Sequence, residues 1–163
     1  MFRRFIPLLV AMLVAPAIAH RYEVGTLVIC HPWSRATPAG MSMGVAYLSI
    51  TNNGAQPEVL TAASSPAAAS VQFHQTTISD GMARMRPLTE VTIAPGATVK
   101  LEPGAIHLML VDLKAPLVAG KSVPLTLEFR NAGNITVQLT IDAPDAPPAA
   151  KRAVSCPTVA VMS

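Results

Sequence analysis

The 163-residue chain has little charge and few aromatic side chains, with 13% of its residues charged, 4% aromatic and 51% hydrophobic. This balance excludes an intrinsically disordered chain, and it also excludes a coiled coil, which needs Glu and Lys in heptads. The two cysteines are too few for a disulfide-stapled mini-protein or an all-cysteine zinc site. The 15 prolines disfavour long helices. The chain length fits one domain with a sizeable core.

The N-terminus has the three parts of a secretory leader. A pair of arginines at 3–4 precedes an apolar run over 5–14, and Ala-Ile-Ala follows at 17–19. A transmembrane anchor is the alternative, but the run is shorter than the ~20 residues that a membrane-spanning helix needs, and prolines interrupt the segment. We therefore predict a signal peptide over 1–19 and His20 as the mature N-terminus.

The net charge changes when this leader is removed. The full chain has 12 basic and 9 acidic side chains and a formal net charge of +3, but two of its arginines lie in the leader. The mature protein is nearly neutral and has no basic stripe, which makes nucleic acid a poor partner. We expect a soluble periplasmic protein without a membrane span, in a compartment where thiols oxidise.

From residue 22 onward, short apolar segments with period-two alternation are separated by Gly, Pro, Asn and Asp. The pattern predicts nine strands, over 24–30, 45–52, 57–63, 70–76, 82–88, 97–101, 106–112, 123–130 and 134–141. Many short strands at this spacing predict an all-β fold, a mostly antiparallel sandwich or Greek-key barrel. We expect the β domain over 20–141, followed over 142–163 by a Pro/Ala-rich linker and a flexible tail.

A histidine and a methionine are predicted to share one face of the strand at 106–112. Successive side chains of a strand point to opposite faces, so His107 and Met109 project together while Leu108 and Leu110 enter the core. Taken alone, these residues favour a hydrogen-bonded histidine beside a packing methionine, because a three-residue match is common by chance.

A second histidine and methionine are expected to meet across a hairpin. Asp80 and Gly81 separate the segments that hold His74 and Met85, and this dipeptide favours a tight turn between antiparallel strands. The hairpin would bring His74 and Met85 within reach of one another on neighbouring strands. Phe73 takes the inward face, so His74 is predicted on the outer one.

The four residues together resemble the pattern of a known family. Ten residues separate the first two, twenty-one the next two and one the last two, in the order His74, Met85, His107 and Met109. This spacing is similar to the metal-binding pattern of the PCu(A)C family of periplasmic copper chaperones. The segments 33–38, 85–87 and 103–110 also resemble that family, and the resemblance covers roughly residues 22–141.

The resemblance implies a cupredoxin-like β-barrel that holds one Cu(I) in a solvent-accessible site formed by those four side chains. It implies a metallochaperone that helps to load the binuclear Cu(A) centre, or other copper sites, of cytochrome oxidases. The implied partners are cytochrome c oxidase subunit II and Sco-type thiol proteins. A carrier of this kind is not an enzyme.

The ligand chemistry agrees with a Cu(I) site. Thioether sulfur is soft and uncharged and favours Cu(I) over Zn²⁺, Mn²⁺ or Ca²⁺, while imidazole supplies firmer nitrogen donors. Methionine is not a usual zinc ligand. Thioethers do not form disulfides, so a methionine-based site survives an oxidising compartment that would endanger a site of two thiols.

Other copper chemistry needs residues outside this pattern. A blue-copper centre needs a cysteine thiolate with two histidines, and neither Cys30 nor Cys156 lies near the four residues. His20, with a free α-amine after cleavage, is the alternative: a Cu(II) ligand of a copper resistance or storage protein, or of a copper oxygenase. We interpret His31 as structural. Whether the two cysteines form a disulfide stays open, because sequence does not show their geometry.

Three further methionines lie near the pattern. Met41 and Met43 flank a serine in a glycine-bounded loop. They offer extra thioethers for the capture or hand-off of copper in one interpretation, and are exposed or packing loop residues in the simpler one, which we adopt. Met82 lies three residues before Met85, an odd number of positions along a strand, so its side chain is predicted to face the opposite side.

Overall fold

The computed structural model describes residues 21–147, which form eleven strands and no α-helix. The strands are β1 Arg21–Val24, β2 Leu27–Arg35, β3 Met43–Asn52, β4 Glu58–Ser64, β5 Ala68–Ser79, β6 Met82–Leu88, β7 Val91–Ile93, β8 Thr98–Leu101, β9 Ile106–Leu113, β10 Ser122–Phe129 and β11 Gly133–Asp142. Between residues 21 and 147, no helix has the length and apolar character needed to cross a membrane.

The strands form one curved sheet in the order β6-β5-β9-β8-β3-β2-β11-β10-β4-β7, with β1 paired to β2 and a second pairing between β9 and β3. The pairings are antiparallel except for β11–β2 and β8–β9, which are parallel. In the described part of the chain, β6 and β7 are the two ends of this order, so the sheet does not close. The predicted all-β, mostly antiparallel fold is confirmed.

The nine predicted strands all correspond to observed ones, and the sequence analysis missed β1 and β7. Both are short, with four and three residues, and offer too few positions for alternation to be recognised. The predicted hairpin is confirmed, because Ser79 pairs with Met82 and the turn between them has positive φ at Asp80 (53°) and Gly81 (74°). Two successive residues with positive φ match the right-handed twist of the flanking strands.

The core lies on the concave side of the sheet, where alternate residues of each strand meet. Leu108 and Leu110 of β9 are fully buried, and Phe73 of β5 is 5% exposed. Side chains at the intervening positions of these two strands therefore face outward, as the alternation predicted. The outer face of β5 and β9 is where the predicted metal ligands lie.

The two ends of the chain fall outside this description. The predicted leader at 1–19, the predicted N-terminal His20 and the tail from 148 onward lie beyond the described residues. Within them, Cys30 is buried in β2 and is disulfide-bonded, and the other cysteine of the sequence, Cys156, lies outside. The Arg35 guanidinium donates hydrogen bonds to three carbonyls within 143–146, which hold the chain just after β11 against β2.

Candidate metal centre

The pairing of β5 with β9 sets two histidines directly opposite each other. His74 is the register partner of His107, and their ring centroids are 5.9 Å apart with an interplanar angle of 62°. Directly opposed residues of an antiparallel pair project to the same face of the sheet. Both imidazoles therefore stand on the outer face, above the buried Phe73 and Leu108.

Hydrogen bonds determine which nitrogen of each imidazole keeps a lone pair. Nδ1 of His107 lies 3.2 Å from the Ala105 carbonyl oxygen, which can only accept, so Nδ1 carries the proton and Nε2 is free to bind a metal. Nε2 of His74 donates to Oε1 of Gln72 at 3.1 Å, which leaves Nδ1 as the nitrogen with the lone pair. That Nδ1 atom is buried and has no hydrogen-bond partner, so its lone pair is available to bind a metal ion.

The two methionines of the predicted site lie diagonally on either side of this histidine pair. Met109 pairs with Gln72, two positions along β5 from His74. Met85 pairs with Thr76, two positions from His74 in the opposite direction and on the neighbouring strand β6. All these positions share one parity, so both thioethers project to the same outer face as the imidazoles.

Solvent exposure changes across these four side chains. His107 is 4% exposed, His74 and Met109 are half-buried, and Met85 is 54% exposed. The imidazoles are held by hydrogen bonds and by burial, whereas the Met85 side chain is unbranched, flexible and open to solvent. One side of the candidate site is therefore fixed and the other is accessible.

The predicted orientation of Met82 agrees with the register. Met82 pairs with Ser79, whose parity on β5 is opposite to that of Thr76, the partner of Met85. Arg86 follows the same parity and donates two hydrogen bonds to Oε1 of Gln75. Met82 and Arg86 thus project to the face away from the candidate ligands.

An aromatic pair covers the neighbouring part of the outer face. Trp33 of β2 and Tyr47 of β3 are register partners with ring centroids 4.6 Å apart, and both are buried. Burial raises the pKa of the Tyr47 hydroxyl, and the positive charge of Arg35 lowers it in part. Tyr47 is two residues from Val45, the partner of Met109, so this pair flanks the candidate ligands rather than lying in the central core.

Other metal-binding candidates do not join the four side chains. His31 lies on β2, separated from β9 by β3, at a register irregularity where its φ is +52°. Its Nε2 is buried without a partner. Cys30, next to it, is disulfide-bonded and pairs with Ser49, so it supplies no thiolate for a blue-copper site. No three His, Cys, Asp or Glu side chains cluster within residues 21–147.

Sequence reasoning missed the groups that orient the imidazoles. Gln72 was detectable in principle, because it lies two residues before His74 and so shares its face of a predicted strand. The Ala105 carbonyl was not, because a backbone acceptor in a turn leaves no mark in the sequence.

Sequence comparison places the chain among proteins named as lipoproteins. Residues 27–141 match the family described as "Putative lipoprotein LpqE-like". The protein named "Putative lipoprotein Lxx21020" of Leifsonia xyli subsp. xyli (strain CTCB07) is 34% identical over 110 residues. That alignment covers 67% of this chain and 65% of the relative, so the chain matches just under two thirds of the relative's length.

Solved structures with this fold include copper-bound and apo proteins. The copper-bound PCuAC domain from PmoF2 is 30% identical, with a TM-score of 0.67 and coverage of 77% of this chain and 99% of that domain. The apo PCuAC domain from PmoF1 is 32% identical, with the same TM-score and coverage of 77% and 100%. The solution structure of CuI-DR1885 from Deinococcus radiodurans is 32% identical, with a TM-score of 0.58 and coverage of 78% and 83%. The expected cupredoxin-like fold is confirmed by these likenesses.

Proposed function

We propose that this chain, which belongs to the LpqE-like family of PCuAC domains, is an exported Cu(I) carrier that supplies the copper sites of cytochrome oxidase. In this proposal His74, Met85, His107 and Met109 hold one Cu(I) ion as cargo. The copper-bound state of two similar structures, one of them described as holding Cu(I), supports the choice of metal.

The opposed histidines are the observation that carries the proposal. Two imidazole rings 5.9 Å apart, each with its second nitrogen engaged in a hydrogen bond, present two lone pairs on one face of the sheet. An unpartnered buried nitrogen is costly unless something binds it, and Nδ1 of His74 is such an atom. Two thioethers on the same face add soft donors, which favour Cu(I) over harder divalent ions.

The exposure of the site suits transfer rather than storage. Met85 is exposed and uncharged, so its bond to Cu(I) is the easiest to replace by an incoming ligand from an acceptor protein. The buried His107 then keeps the ion bound until the exchange is under way. Because the four ligands are neutral, loading and unloading require no deprotonation of a ligand and leave only the +1 charge of the ion.

The proposed acceptor is cytochrome c oxidase subunit II, with Sco-type thiol proteins as partners in Cu(A) assembly. Delivery to such membrane-anchored copper sites requires export, which the lipoprotein names of the family and of its relative support. The signal peptide proposed over 1–19 would direct this chain to the periplasm.

The metal site is tested by replacing both methionines with leucine, which conserves volume and removes sulfur. We expect Met85→Leu/Met109→Leu to bind Cu(I) on the order of a hundredfold more weakly than the wild type in anaerobic competition with a chromophoric chelator, about tenfold for each lost ligand. X-ray absorption of the wild type should give equal numbers of sulfur and nitrogen ligands. Met82→Leu is the matched control, because Met82 is equally exposed but faces the opposite side of the hairpin.

An unchanged Cu(I) affinity in the double variant would refute the site. Delivery is a separate measurement: Cu(I)-loaded protein is mixed anaerobically with the reduced apo soluble domain of subunit II, with and without a reduced Sco-type protein. Ferricyanide then removes one electron from any copper pair that has formed, and the visible absorption of mixed-valence Cu(A) is measured. If Cu(A) forms in neither mixture although the protein binds Cu(I) tightly, the proposed acceptor is rejected, and the Cu(I) carrier function is not.

A further inference from the structure

Methionines are four of the six large apolar side chains that are exposed among the described residues. Six large apolar side chains are exposed between residues 21 and 147: Met41 (49%), Met43 (50%), Ile78 (73%), Met82 (56%), Met85 (54%) and Val118 (56%). A single exposed apolar residue needs no explanation, but four thioethers among six is unusual in a protein whose proposed cargo binds thioethers. Only one of the four, Met85, belongs to the proposed site.

The register of β3 against β9 gives Met43 a defined place beside that site. Met43 pairs with Val111, and Val45 pairs with Met109. Met43 is therefore a diagonal neighbour of Met109 on the same outer face, with Cα atoms about 7–8 Å apart, a separation that long side chains bridge. Two unbranched methionine side chains at that spacing can reach one ion between them.

The backbone that carries Met43 is fixed although its side chain is exposed. The Leu113 amide donates a hydrogen bond to the Ser42 carbonyl, 2.9 Å away. Gly44 is buried, and a Cβ at that position would lie 3.1 Å from Cδ1 of Leu117. This close approach seats the start of β3 against the segment that follows β9, and the register with β9 places Met43 next to Met109.

The four candidate ligands and Met43 follow one diagonal line across the outer face. Met85 lies on β6 at one end, His74 and His107 stand in the middle, Met109 follows on β9, and Met43 lies on β3 at the other end. Met43 is four positions along its strand from the level of His107, so it lies outside the set of four but within reach of its last member.

We propose that Met43 is a transfer ligand, which shares Cu(I) with Met109 while the ion passes between the histidine pair and an outside donor or acceptor. This rests on the proposed Cu(I) carrier function and adds a route to it, along β9 toward β3. In the step, a bond from Cu(I) to the Met43 sulfur forms, the bonds to the Met85 sulfur and to the two imidazole nitrogens break, and the bond to the Met109 sulfur is kept. No electron or proton moves, because every ligand is neutral and copper stays Cu(I).

A transfer ligand changes the rates at which Cu(I) is captured and released, and it leaves the dissociation constant of the bound ion unchanged. An intermediate bound by Met43 and Met109 lowers the barrier for capture and for release by the same factor. Met43→Leu should therefore slow both processes and keep the dissociation constant of the wild type. A resting ligand such as Met85 behaves differently, because its loss weakens the bound state itself.

The experiment compares the wild type, Met43→Leu and Met82→Leu, which exchange equally exposed methionines on opposite faces. Each protein is loaded with Cu(I) anaerobically and mixed in a stopped-flow cell with excess bicinchoninate, whose Cu(I) complex is coloured, and affinity is measured separately at equilibrium. We expect release from Met43→Leu to be at least about fivefold slower, a modest rise in barrier. Affinity should stay within about twofold of the wild type, and Met82→Leu should match the wild type in both measurements.

Three results would overturn the inference. If Met43→Leu releases Cu(I) at the wild-type rate, Met43 takes no part in transfer. If Met82→Leu slows the release of Cu(I) as much as Met43→Leu does, the slowing comes from replacing any exposed methionine and not from the position of Met43. A loss of Cu(I) affinity in Met43→Leu of about tenfold, the loss expected for one resting ligand, makes Met43 a resting ligand. These failures differ from failure of the carrier itself, in which the wild type binds no Cu(I) or binds it without need of Met85 and Met109.

Discussion

Replacing Glu58 with glutamine tests how much a buried carboxylate contributes to this fold. Glu58 opens β4 and is 6% exposed. Its Oε1 accepts hydrogen bonds from the Val59 amide at 2.8 Å and from the amide and side chain of Asn131 at 3.1 and 3.2 Å, and Oε2 accepts from the Ala132 amide at 2.9 Å. The carboxylate thus fastens the turn between β10 and β11 to β4.

The size of the effect follows from these contacts. A glutamine keeps one acceptor oxygen, but its NH₂ group faces an N–H donor that the second carboxylate oxygen used to satisfy. Hydrogen bonds to a charged group contribute about 1.5–3 kcal/mol, and a buried donor left without a partner costs about 1–3 kcal/mol. We expect Glu58→Gln to lower the free energy of unfolding by about 1.5–3 kcal/mol, which is about 1 M in the midpoint of urea unfolding.

The same contacts give the effect a direction in pH. Burial alone would raise the pKa of Glu58, but the hydrogen bonds from Val59, Asn131 and Ala132 outweigh it and hold the pKa below its ordinary value of 4.5. A carboxyl whose pKa is lowered by folding stabilises the fold above its unfolded pKa, and that stability is lost as the pH falls through the folded pKa. The difference in the free energy of unfolding between the wild type and Glu58→Gln should therefore stay constant from pH 7 to about 4.5 and become smaller below pH 4.5.

The assay is urea unfolding followed by Trp33 fluorescence and circular dichroism, repeated between neutral and acidic pH. Glu90→Gln is the matched control, because its ion pair with Arg130 (2.6 Å) is exposed and such pairs contribute about 0–1 kcal/mol. Equal urea midpoints for Glu58→Gln and the wild type at pH 7, or a gap that does not change on acidification, would refute the reasoning. Cu(I) affinity should be the same in both variants, since neither residue lies on a strand that carries a candidate ligand.

Two further predictions concern the support of the metal centre and of β3. Gln72→Leu should weaken Cu(I) binding by roughly 10–100-fold, because it removes the acceptor that orients the His74 ring. Gln75→Leu is the control, because Gln75 lies on the opposite face and its loss should not change the affinity. Chelator competition measures the affinity of both variants, and equal values would reject the orienting role of Gln72. Gly44→Ala should cost about 1–3 kcal/mol in urea unfolding, because the new methyl group meets Leu117 at 3.1 Å; an unchanged midpoint would mean that the Leu117 side chain moves away freely.

Much of the outer face was accessible to sequence reasoning. The resemblance to the PCu(A)C family is confirmed by the family match and by the copper-bound structures with this fold. The alternation in β9 correctly separated Leu108 and Leu110 from the opposite face, and the Asp80–Gly81 turn was correctly assigned. Such features are local, because they depend on the period of a strand and on which residues tolerate positive φ. The four ligand assignments stay predictions until the copper titrations are made.

What the sequence by itself determined is the set of candidate donors and their spacing: two histidines and two methionines on strands whose inward and outward faces follow from the alternation. What only the tertiary structure decided is which outward side chains become neighbours. The opposition of His74 to His107, the placement of Met43 beside Met109 and the remoteness of His31 all follow from the register of strands far apart in the chain. Register is a non-local property: it is set by the burial of one whole face of each strand, and shifting it by one residue would turn every outward side chain inward.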